Sequence, residues 1–100
     1  MKDFEELTDL EKSVLLIWGN ELDFSTTNHR QREKINKRID AILPDIKHKD
    51  KIRINKTLIN SGFIVRHPTR RSKTYELSHY GLKCCNILKR ENDIKEGINI

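Results

Sequence analysis

One hundred residues is the length of a single compact domain, and equal shares of hydrophobic and charged residues, 35% each, describe a lean core under a heavily charged surface. No apolar run approaches the roughly 20 residues of a membrane span, and the acidic start MKDFEELTD lacks the pattern of a secretory leader, so a cytoplasmic protein is expected. The net charge of +5 conceals an uneven layout: residues 1–28 carry seven acids against two lysines, whereas residues 29–90 carry 17 Lys and Arg against five acids, a basic middle that points to a polyanionic partner.

Thr8-x-x-Glu11 is a capping-box pattern ahead of an apolar stripe of Leu10, Val14, Ile17 and Trp18, and predicts a first helix over residues 9–20. Leu15 and Leu16 fall off that stripe, so this helix is either unusually buried or part of a subunit interface. A loop over 21–28 ends in two candidate caps, Thr27 and Asn28. The second helix then covers 29–42, with Ile35, Ile39, Ile42 and Leu43 inward and Arg30, Arg32, Lys34, Lys37 and Arg38 on the wet side; Pro44 stops it.

A third helix is expected over 49–60, ending at Ser61-Gly62. Ile52, Ile54, Leu58 and Ile59 share an arc of about 160°, although Lys51 and Asn55 fall inside it. Lys49, Asp50, Arg53, Lys56, Thr57 and Asn60 take the opposite side. After Gly62 the period shortens: Phe63-Ile64-Val65 and the alternation around Tyr75 and Leu77 read as two strands of a β-hairpin. Its basic tip spans residues 66–73. Ser78 can cap a last helix over 79–91, with Tyr80, Leu82, Cys84, Cys85, Ile87 and Leu88 wrapping more than half its circumference, and residues 92–100 read as a frayed tail. The adjacent Cys84 and Cys85 diverge by about 100° on a helix, which disfavours a disulfide between them and fits reduced thiols.

Helix, helix, helix, strand, basic tip, strand, helix is the winged helix-turn-helix plan: mainly α, with a three-helix core, a two-stranded wing and a C-terminal helix, residues 1–91 forming one domain. A helix of about 12 residues fits the major groove of B-DNA. Arg66, Arg70, Arg71 and Lys73 on the hairpin can reach phosphates or a minor groove, and the Thr69 and Ser72 hydroxyls can add phosphate contacts.

The strings Asn60-Ser61-Gly62-Phe63-Ile64, Thr74-Tyr75-Glu76-Leu77-Ser78 and Tyr80-Gly81-Leu82, with the charged hairpin between them, resemble the segment shared by many winged-helix transcription regulators of bacteria and archaea. The match covers residues 52–82. It implies that the third helix is the recognition helix, with roles for Arg53, Lys56, Thr57 and Asn60, and that Arg70, Arg71 and Lys73 act from the wing. Lys49 and Arg66 complete the candidate nucleic-acid-binding set, with Thr69 and Ser72.

His67, His79, Cys84 and Cys85 show no metal-ligand spacing, and no metal or cofactor is expected. Neither a glycine-rich phosphate loop nor a catalytic constellation is present, so an enzyme is not expected. The expected function is sequence-specific double-stranded DNA binding by a small transcriptional regulator, working as a homodimer through the fourth and first helices. The alternative is a winged-helix adaptor that binds a protein of a replication or transcription complex, or RNA.

Overall fold

A computed structural model describes residues 1–67 and 73–98. A 3-10 turn at Phe4–Glu6 precedes α1 (Asp9–Glu21), β1 (Arg30–Gln31), α2 (Arg32–Ile42), α3 (His48–Asn60), β2 (Ile64–His67), β3 (Thr74–Leu77) and α4 (His79–Ile98). The chain is mainly helical, with a small antiparallel sheet in the order β1-β3-β2. No helix among the described residues is long and apolar enough to cross a membrane.

The capping box forms as its residue types dictate. The Thr8 side chain accepts the Glu11 N–H, and the Glu11 carboxylate accepts the Thr8 N–H at 2.8 Å. Glu11 is buried; burial pushes its carboxyl up, but the Lys2 ammonium at 2.8 Å and the Thr8 hydrogen bonds outweigh this and hold it below 4.5. Lys2 also donates its backbone N–H to the Ser61 hydroxyl, and Phe4 donates its own to the Tyr80 hydroxyl, which pins the N-terminal segment to the end of α3 and the start of α4.

Trp18 lies at the centre of the core, fully enclosed and set edge-to-face against Tyr75 with 6.1 Å between ring centroids. The breadth of apolar surface on α1 has a simple outlet. The helix packs against α2, α3 and α4 at once, and Leu15, off the expected stripe, is buried beside Cys85, whose thiol donates to the Leu15 carbonyl. Leu10, placed on the stripe by spacing, is exposed instead.

Several expected boundaries change. The second helix begins at Arg32 rather than residue 29, because Arg30 and Gln31 pair with Tyr75 and Thr74 and cover the edge of β3 that β2 leaves open. The sheet therefore has three strands, not the two of a simple hairpin. Neither Thr27 nor Asn28 caps α2: the Thr27 hydroxyl pairs with Ser25, Asn28 donates its side-chain amide to the Leu22 carbonyl, and Gln31 holds the cap position without a side-chain bond. Ile42 and Ile52, expected inward, are 45% and 51% exposed. The last helix does not stop at 91 but continues to Ile98, through residues expected as a frayed tail.

The end of α3 follows its sequence signal closely. Gly62 has φ +80°, Phe63 N–H returns to the Leu58 carbonyl and Gly62 N–H to that of Ile59, which is the Schellman arrangement. Ser78 then closes the sheet and opens α4: its hydroxyl donates to the Gly62 carbonyl and accepts the Gly81 N–H at 2.9 Å. Gly81 lies so close to the backbone just before β2 that an added β-carbon would collide with the Phe63 carbonyl oxygen.

Candidate nucleic-acid interface

The orientation of α3 follows from which of its side chains the core accepts. Ile54 and Leu58 are buried, and with them Asn55 and Lys51, the two polar residues inside the apolar arc. Each is satisfied by a specific partner. Asn55 accepts the Trp18 indole N–H at 2.9 Å and donates to Asn36 Oδ1 at 2.7 Å, tying α1, α3 and α2 through one side chain. Lys51 Nζ reaches both carboxylate oxygens of Asp40 on α2, at 2.8 and 3.0 Å.

With that face turned inward, Lys49, Arg53, Lys56 and Asn60 emerge on the opposite side, all exposed and within an arc of about 60° at 100° per residue. Arg53 is steadied by Asp50 one turn earlier, at 3.4 Å. Thr57 is half-buried at the margin of the arc. The tight turn at Ser61-Gly62 carries α3 directly into β2, so the wing starts next to Asn60.

Arg66 is exposed on β2 and Lys73 is exposed immediately before β3. The remaining wing candidates, Thr69, Arg70, Arg71 and Ser72, lie outside the described residues.

β1 brings in residues that sequence periodicity assigned only to a solvated helix face. Arg30 and Arg66 are both cross-strand partners of Tyr75, one on each side, so the three residues form a single row across the sheet. Tyr75, 8% exposed, turns its ring toward Trp18, and the Arg32 guanidinium lies over that ring at 5.8 Å. A two-residue strand has no periodic signature, which is why this cluster was not visible in the sequence.

On the opposite face of the sheet, His29 and His67 stack in parallel with centroids 4.2 Å apart, and His67 Nδ1 lies 3.4 Å from Glu76. Among the described residues, no group of three or more His, Cys, Asp or Glu could hold a metal ion. Cys84 and Cys85 are free and buried. Burial pushes both thiols up, Cys85 to about 12 with the neighbouring Cys84 adding to the rise.

Three helices closed by a small antiparallel sheet and followed by a further helix are the layout of a winged-helix domain. Two solved proteins share it across nearly the whole chain. F-93 of SSV1 is 19% identical, with 94% of this chain and 93% of that one covered and a TM-score of 0.69. RosR of H. salinarum is also 19% identical, covers 94% of this chain with 80% of its own, and has a TM-score of 0.66. A complex structure of the same RosR is 18% identical, covers 95% and 80%, and has a TM-score of 0.66. At these identities the likeness is one of fold. No family model and no curated protein matches the chain.

Proposed function

We propose that this chain binds double-stranded DNA in a sequence-selective manner and acts as a small transcriptional regulator. The observation that carries the proposal is the α3 surface. Lys49, Arg53, Lys56 and Asn60 occupy one exposed arc on a helix whose other side is bolted to α1 and α2, and that helix runs directly into a basic wing. Side chains of this kind on a helix in the major groove can pair with guanine and adenine edges, and the flanking cations can neutralise phosphates.

In this reading α3 enters the major groove, while Arg66, Thr69, Arg70, Arg71, Ser72 and Lys73 grip the backbone or the adjacent minor groove. A homodimer through α4 and α1 would repeat α3 across a two-fold axis and select a near-palindromic site. Exposed Leu10 on α1 and half-buried Ile87 on α4 supply apolar surface for such a contact.

Duplex binding measured over a salt series tests the reading. Affinity is expected to fall steeply, with a log–log slope of about −0.9 per phosphate neutralised. Replacing Arg70 and Arg71 with Ala should flatten that slope for every sequence, whereas changing Arg53 or Asn60 should alter which sequence is preferred, by about 1–3 kcal/mol per base contact. A flat salt response, or no duplex binding at low salt, refutes DNA as the ligand and points to a protein partner. Sedimentation tests the dimer, and a monomer at high concentration removes it.

A further inference from the structure

Arg30, Arg32 and Arg66 come from three different elements and are placed around one residue, Tyr75. Arg30 and Arg66 flank Tyr75 in a cross-strand row, and Arg32, in the first turn of α2, stands over its face. All three are exposed, and none has a carboxylate within ion-pair distance among the described residues. Arg30 donates to the neighbouring His29 carbonyl at 3.1 Å. The acid closest in sequence to Tyr75, Glu76, is turned to the other face of the sheet, where it meets His67.

Three arginines set around one residue, with no carboxylate paired to them among the described residues, leave their charges uncompensated, and an anion bound between them would supply the missing counter-charge. The planar fork of arginine matches phosphate oxygens in a bidentate manner, better than the point charge of lysine does. The buried Tyr75 ring holds Arg32 by its π-face, so that fork is partly organised before any ligand arrives.

We propose that Arg30, Arg32 and Arg66 form a phosphodiester clamp at the root of the wing, which holds the DNA backbone beside the groove that α3 enters. The proposal rests on the DNA-binding reading and adds to it two residues, Arg30 and Arg32, outside the recognition helix and the wing. Because Arg66 stands on the strand that joins α3 to the wing tip, a phosphate gripped there fixes the register of α3 on the duplex and carries no base information itself.

The test is a salt series on a duplex of mixed sequence with the parent, R30Q/R32Q, Arg30→Gln alone, and Arg38→Gln as the control. Arg38 lies on the same helix as Arg32 but pairs with Glu21 at 3.1 Å, away from Tyr75. The double variant should bind about tenfold or more weakly at fixed salt. Its log–log slope should be shallower by about 1–2 units, with no change in preferred sequence, while Arg38→Gln matches the parent. Arg30→Gln changes an exposed side chain without touching the Arg32–Tyr75 contact, and should lower the slope by about 0.9 even if the double variant unfolds.

If R30Q/R32Q or, where it does not fold, Arg30→Gln follows Arg38→Gln while the parent binds with a steep slope, the clamp is wrong and DNA binding stands. A parent that does not bind duplex at low salt overturns both.

Discussion

Asn55→Ala removes a side chain that joins α1, α2 and α3 by hydrogen bonds. Asn55 is 1% exposed, and the Trp18 indole N–H that it accepts is wholly enclosed, so the truncated protein leaves that donor buried without a partner. An orphaned buried donor costs about 1–3 kcal/mol. Asn36 is only half-buried and can turn to water, so its lost bond adds little. The expected loss is therefore about 2 kcal/mol, or roughly 10 °C in Tm for a domain of this size. Urea unfolding followed by far-ultraviolet circular dichroism measures it. The same truncation in a Trp18→Phe background has no indole donor to orphan and should cost markedly less. An Asn55→Ala cost below about 0.5 kcal/mol, or an equal cost in both backgrounds, would refute the assignment of Asn55 as the satisfier of Trp18.

Three further outcomes are expected. Gly81→Ala should destabilise by about 1–3 kcal/mol or more, since its methyl group meets the Phe63 backbone, which cannot move without parting α4 from β2; wild-type stability in this variant contradicts that contact. Glu11 has a lowered folded-state pKa, so its contribution is fully present above the ordinary value of 4.5 and is lost as pH falls through the lower folded value. E11Q should accordingly flatten the pH dependence of stability in that acidic window, and parallel curves for parent and variant would argue against the Lys2–Glu11 lock. At pH 8 a thiol-specific reagent should label neither Cys84 nor Cys85 faster than the protein opens, because burial raises both thiols; rapid labelling of the native protein would contradict their enclosure.

Much of the helical framework was legible because its signals are local. Thr8 and Glu11 cap α1, Gly62 ends α3 and Ser78 opens α4, in each case through a backbone group within a few residues or across one tight turn. The exposed arc of Lys49, Arg53, Lys56 and Asn60 was legible for the same reason: a polar stripe at helical spacing has few other places to go. Local spacing was less able to separate a core position from its neighbour, and so misplaced Leu10, Ile42 and Ile52, which it counted among the inward residues.

Sequence alone thus determined the order of the four helices and the two hairpin strands, the charge of the surface and the identity of α3 as a helix with one polar face. Tertiary structure decided what those elements are joined to. Lys51 and Asn55 are flaws in an apolar stripe until Asp40, Asn36 and Trp18 arrive from α2 and α1 to satisfy them. Arg30 is a solvated helix residue until two residues of backbone pair with β3 and set it beside Tyr75 and Arg66, more than thirty positions away. Such partners carry no trace in the local pattern, because a buried polar group or a short edge strand is stabilised by whatever the folded chain brings to it and not by its own neighbours.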